Sequence, residues 1–221
     1  MSDASAGSTE SKSEAATVIL DAKGLRALAH PVRVQVVGLL RKYGPTTATR
    51  LAERLGVNSG TASYHLRQLG AAGFVEEDTE RGNARERWWR AVHLATRFDD
   101  PELVEREPEA VLAYMQSIAA VHSLGAQRAL NEFQTMPRVW QDVFEMSDWA
   151  LRLTPAEAIN LQRDLHDVID RYRRDAPGVT AAAPDGAERV GLVVHVLPEL
   201  GTAAESGTEA SLRNASTTET S

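Results

Sequence analysis

The chain contains no cysteine. That absence removes disulfide scaffolds, thiolate zinc sites and thiol nucleophiles together. No run of about 18 apolar residues occurs, so no membrane-spanning helix is expected and the membrane is not a partner. The first residues, Met-Ser-Asp-Ala-Ser, lack both a charged n-region and an apolar h-region, and the expected compartment is the cytoplasm. Catalytic signatures are missing as well. There is no glycine-rich phosphate loop, no Gly-x-Ser-x-Gly elbow and no His-Glu-x-x-His. The carboxylates Asp164, Asp167 and Asp170 stand at helix-surface spacing, where solvated salt bridges are the default. Neither enzyme activity nor a cofactor is expected.

What remains is ordinary globular material. With 221 residues, 43% hydrophobic and 25% charged, the chain is long enough for one large domain or two small ones. Its net charge of −7 looks wrong for a polyanion binder until it is divided along the sequence. Residues 1–20 sum to −2, residues 21–92 to +5 and residues 93–221 to −10. A basic stretch inside an acidic chain suggests a polyanion-facing module joined to something else.

Composition also divides the chain. Residues 1–16 are Ser, Ala, Glu, Thr and Gly without an apolar period and read as a disordered tail, as do residues 201–221. Asp99-Asp100-Pro101 marks the main internal break, and residues 175–186 read as a long loop. The expected division is therefore a tail over 1–16, one domain over 17–92, a second region over 93–200 and a tail over 201–221.

Inside the basic stretch the periods are helical. Leu25, Leu28 and Ala29 begin an apolar face that stops at His30-Pro31, and Pro31 suits the first turn of a new helix bearing Val34, Val37, Leu39 and Leu40. His30, between the two helices, is expected to make a structural hydrogen bond. Thr46 or Thr47 can cap a third helix carrying Ala48, Leu51, Ala52 and Leu55, with Gly56 as its stop. Asn58 or Ser59 caps a fourth, with Ala62, Leu66 and Leu69 inward. The period then changes to that of strands over 74–78 and 86–90, around an Arg81-Gly82-Asn83 hairpin signal. Trp88 and Trp89 point to opposite faces, one toward the core and the other toward the C-terminal region.

Helix, glycine turn, helix and hairpin is the layout of a winged helix-turn-helix. The sequence resembles the ArsR-type winged-helix transcriptional regulators in three stretches: Leu-Arg-Ala-Leu-Ala-His-Pro-Val-Arg (25–33), Leu-Ala-Glu-Arg-Leu-Gly-Val (51–57) and Thr-Ala-Ser-Tyr-His-Leu-Arg-Gln-Leu (61–69). Its wing, Arg-Gly-Asn-Ala-Arg-Glu-Arg-Trp-Trp-Arg (81–90), is similar to that of actinobacterial members. The resemblance covers residues 21–92 and implies a sequence-specific DNA-binding regulator. The recognition helix 58–69 would enter the major groove through Asn58, Ser59, Thr61, Ser63, Tyr64 and Arg67, with Arg67 able to reach guanine in bidentate fashion. The wing 76–90 would lay Arg81, Asn83, Arg85 and Arg87 on phosphates or in the minor groove. The acidic residues in 76–80 are rival partners for those arginines. His65 either joins the reading face or sits at the edge of the core.

Many proteins of this type sense metals. The thiolate sensors need cysteines, and a second pattern pairs Asp-x-His with a downstream His-x-x-Glu. Asp164-Leu165-His166 imitates the first half only, so no metal is expected. The resemblance also implies a homodimer on an inverted-repeat operator in double-stranded DNA. The long helical pattern over 107–133, with Val111, Met115, Ile118, His122, Gly125 and Ala129 on one stripe, would pair with its twin or serve as a core helix. Farther on, Thr154-Pro155-Ala156-Glu157 is a capping box opening a helix lined by Ala158, Leu161, Leu165, Val168 and Tyr172. Strand-like residues 149–153 and 189–197 flank it, and a strand–helix–strand unit is expected to extend a dimer interface or house a small-molecule effector. The fold class is thus mostly α with small β: a winged helix-turn-helix domain followed by a helical or α+β region. Two rival functions stand beside DNA reading. One is a winged-helix module that binds protein, and the other is a regulator whose ligand binds residues 93–200.

Overall fold

The computed structural model describes residues 17–81, 86–172 and 183–200. The tails 1–16 and 201–221 and the wing-tip residues Asn83 and Arg85 lie outside the described residues.

The helix boundaries follow from local chemistry. Helix α1 (Ala22–Leu28) starts where the Asp21 carboxylate accepts from the Gly24 amide at 2.7 Å. Helix α2 (Pro31–Tyr43) is capped by His30, whose Nδ1 accepts from the Val32 amide at 3.2 Å, so the expected structural role of His30 holds. Helix α3 (Ala48–Leu55) is capped by Thr47 and α4 (Ser59–Ala71) by Asn58, whose Oδ1 accepts from the Thr61 amide at 2.8 Å. Between α3 and α4 the chain must reverse in three residues. Gly56 does this in the left-handed region at φ 67°, while the Val57 amide donates back to the Ala52 carbonyl.

Strands β2 (Thr46–Thr47), β3 (Val75–Glu77) and β4 (Trp88–Ala91) form an antiparallel sheet in the order β2-β4-β3. The hairpin is therefore as expected, though its strands are shorter than 74–78 and 86–90. A separate pair, β1 (Thr17–Ile19) and β5 (Ala95–Arg97), runs parallel with Val18 opposite Thr96. Neither β2 nor the β1–β5 pair was legible in the sequence, because two or three residues are too few to show a period of 2.

The core gathers Leu20, Leu25 and Leu28 with Val36, Leu40, Leu51, Leu66, Leu69, Phe74, Val75 and Trp89. Helices α5 (Pro101–Arg106) and α6 (Pro108–Glu132) add Leu103 and Val111 to the same core. The sequence division after residue 92 therefore does not mark where compact structure separates. One unit contains the described residues up to Ser147 together with 183–189, and a second contains 148–172 and 190–200. Arg41 ties α2 to the segment after the wing, donating to the His93 carbonyl at 2.8 Å and the Thr96 hydroxyl at 2.7 Å. Burial lowers the Arg41 pKa to about 10, which leaves it charged at neutral pH.

In the first unit the remaining described elements are a 3₁₀ turn at Phe133–Thr135 and the short helix α7 (Arg138–Gln141). The second unit holds α8 (Pro155–Asp170), opened by the expected capping box: Thr154 Oγ1 accepts from the Glu157 amide, and the Glu157 carboxylate accepts from the Thr154 amide at 2.8 Å. The Thr154 amide and hydroxyl both donate to the Glu157 carboxylate and hold it below its usual pKa. The expected strand–helix–strand unit is not formed. Residues 149–153 and 189–197 belong to no strand ladder, because a strand needs a neighbour to satisfy its backbone and the described chain supplies none.

Candidate nucleic-acid interface

Helix α4 is anchored on one side and open on the other. Ala62, Leu66 and Leu69 are fully buried. Asn58, Ser59, Tyr64 and Arg67 are exposed, and Thr61 and Ser63 are half-buried beside them. Ser63 and Arg67 stand one turn apart on the same face, as do Gly60 and Tyr64. A Cβ added at Gly60 would meet the Asn58 Oδ1 at 3.2 Å. Among the described residues Arg67 makes no ion pair. Its guanidinium is therefore available to an external acceptor with five donors in a planar fork. Asn58 is more constrained than its place in the sequence suggests, since its carbonyl oxygen is committed to the cap.

The wing arginines are differently placed. Arg87 pairs with Glu77 at 3.1 Å, Arg90 with Glu76 at 2.8 Å, and Arg81 lies 3.6 Å from the buried Asp78 carboxylate. The acidic run 76–80 thus supplies the rival partners expected of it. These pairs are exposed on the arginine side, and such pairs contribute little net stability, so exchanging a carboxylate for a phosphate costs little. Trp89 is buried, and Trp88 is half-buried. It lies against α3, with the Arg50 guanidinium 5.3 Å from its ring. The reason is β2, which brings Thr47 opposite Trp88 and with it the start of α3.

Sequence reasoning missed two cations on α3. Arg50 is exposed beside the wing strand, and Arg54 stacks at 4.2 Å on the half-exposed Tyr43 ring. Their signal was the apolar face Leu51, Ala52 and Leu55, which leaves both arginines outward. Together with Arg67 they extend positive charge across the helix-turn-helix surface.

His65 belongs to the core edge, not to the exposed outer face of α4. It is 5% exposed, its ring centroid lies 4.6 Å from that of His30, and its Nδ1 has no hydrogen-bond partner among the described residues. Burial, then the nearby His30 and Arg33, lower its pKa below the usual 6.5. The consequence for stability has a definite sign. Above the unfolded pKa both states leave His65 neutral and it contributes nothing to pH dependence. As pH falls through 6.5 the unfolded chain takes up the proton first, so stability is lost until the folded pKa is passed. The thermal midpoint should therefore drop on acidification from neutral pH, and His65→Gln should flatten part of that slope. Identical slopes for the two proteins would show that His65 is not the group responsible.

Residues 28–78 match the family described as a helix-turn-helix domain, well under half of the chain. No curated protein matches. Among solved structures, reduced HlyU from Vibrio cholerae is similar at 22% identity, covering 44% of this chain and 93% of its own, with a TM-score of 0.28. Apo ZitR from Lactococcus lactis, a mutant form, is similar at 13% identity over 66% of this chain and 84% of its own, with a TM-score of 0.28. A mutant MepR from S. aureus, bound to an oligodeoxyribonucleotide, is similar at 12% identity over 66% and 77%, with a TM-score of 0.25. Likenesses this loose carry no argument about what this chain binds. No described helix is long and apolar enough to cross a membrane. On its local fold and on the family match alike, residues 28–78 carry a helix-turn-helix domain.

Proposed function

We propose that this chain is a sequence-specific DNA-binding transcriptional regulator of ArsR type, acting as a homodimer on an inverted-repeat operator. The observation that carries the reading is the outer face of α4, polar, exposed and bearing Arg67, without an ion pair among the described residues, above a fully buried anchor. A helix held this way can enter a major groove while Arg50, Arg54 and the wing arginines address the backbone. The net charge of +5 over residues 21–92 suits that partner better than a protein surface without charge bias. Dimer pairing is assigned to residues outside the helix-turn-helix, where α6 offers Leu112, Met115 and Leu130 at about half exposure.

The test is selection of fragmented genomic DNA by the full chain in the presence of random competitor. Recovered sites should share an inverted repeat whose half-site centres lie about 10–11 bp apart, or a multiple of that. Recovery of no common sequence would end the reading.

A small-molecule-sensing regulator has one observation in its favour. A largely apolar pocket of about 220 Å³ is lined by Leu165, Ile169, Val194 and Val196 together with Gln162 and His166. That volume lies below the roughly 300 Å³ at which ordinary ligand sites begin. A ligand there would be small, and a thermal-shift screen of the full chain would find it.

A further inference from the structure

The unit made of residues 148–172 and 190–200 contributes no side chain to a buried apolar core. Helix α8 has no buried residue along its whole length. In the same unit, Trp149 is 75% exposed, Leu192 68% and Leu197 75%. Residues 190–197 read Val-Gly-Leu-Val-Val-His-Val-Leu, eight positions without Asp, Glu, Lys, Arg or Pro. Solvent-facing strand edges are normally defended by Lys, Pro or a bulge, and this segment has none of these before Pro198 at its end. Among the described residues, neither 149–153 nor 190–194 takes part in a backbone hydrogen bond.

Segments so rich in Val and Leu do not rest in water. At ordinary whole-residue areas, Trp149, Leu151, Val190, Leu192, Val194 and Leu197 together expose on the order of 800 Å². That matches what one partner of a stable dimer buries.

We propose that residues 190–197 form an interchain strand, pairing antiparallel with the same residues of a second copy of this chain. Residues 149–153 and α8 of each copy then cover the joined sheet. Three features point to a second copy. An edge strand meets its own twin across a two-fold with its ladder bonds made reciprocally, so the contact closes on itself. Of its eight residues only His195 is ionisable, so the segment offers little charge with which to select a foreign partner. The exposed area is that of one side of a dimer. The inference deepens the homodimer reading above, rests on it for the two-fold, and does not depend on DNA recognition.

The absence of native cysteine makes a clean test available. Single variants from Val190→Cys through Leu197→Cys place one thiol in each copy of the full chain, with Asp185→Cys as an exposed control. In an antiparallel pair, each residue of displacement from the two-fold separates the twin positions by about 6–7 Å more. A disulfide tolerates a Cα separation of only about 7 Å. Mild oxidation should therefore give cross-linked dimer at one position, or at two adjacent ones if the two-fold falls between them, and little elsewhere, while the control stays uncrosslinked. Sedimentation of the unmodified chain should show a dimer, and its thermal midpoint should rise with protein concentration. A dimer in sedimentation with no cross-link anywhere in the scan would overturn the strand pairing and leave the homodimer standing. Equal cross-linking at every position would indicate non-specific association and overturn it too. A monomer would remove both. Dimer and peaked cross-linking without operator selection would leave this inference intact and remove the regulator reading.

Discussion

Arg67→Ala should weaken binding to a selected operator by about 1–3 kcal/mol and relax preference at one base position in each half-site. Arg67 is exposed on the outer face of α4 and, among the described residues, holds no carboxylate. No described carboxylate competes for its guanidinium, so its removal registers at the DNA. Arg87 presents the opposite case. It already pairs with Glu77, and on DNA it would exchange that carboxylate for a phosphate. Arg87→Ala should therefore weaken cognate and random DNA alike. For each phosphate no longer neutralised, the slope of log K against log salt should become shallower by about 0.9. Titrations of both variants against cognate and scrambled duplexes at several salt concentrations separate the two roles. If Arg87 controlled base preference and Arg67 affected every sequence equally, the wing would be the reader.

The second large effect concerns the anchor. Leu66→Ala should destabilise the domain by about 2–5 kcal/mol in urea unfolding, the range for a fully buried leucine whose surroundings cannot collapse into the gap. Leu66 is 0% exposed and shares the core with Leu51, Leu69 and Val36. It faces away from the proposed groove, yet operator affinity should fall as well, because the reading face is rigid only while its back is packed. A destabilisation below about 1 kcal/mol would mean that α4 rides on a softer core than its burial indicates.

Helices α1 to α4 and α6 were legible because their signals are local, whereas α5 and α7, at six and four residues, are too short to show a helical period. Asp21, Thr47 and Asn58 cap where a short polar side chain precedes an apolar period, and Gly56 turns where only glycine adopts a left-handed conformation cheaply. The exposed face of α4 could be assigned from the same periodicity, since three inward residues leave most of the others outward. His65 escaped that logic. It sits next to Leu66 in sequence, and only packing against His30 shows that it belongs to the core edge.

The wing shows where local signals end. Its hairpin was visible as a change of period, but which arginines are paired was not, because Glu76 and Glu77 reach Arg90 and Arg87 only through the β3–β4 register. In the same way the sequence could not say that β2 would carry Trp88 onto Arg50, or that Leu103 and Val111 would join the first core across an apparent acidic boundary. Helix starts, turns and amphipathic faces were determined by the sequence alone, since each rests on neighbours within about one turn. Pairings between distant segments were decided only by the tertiary structure. Residues 190–197 illustrate the difference, because their side chains favour a strand but a strand exists only where another backbone lies beside it.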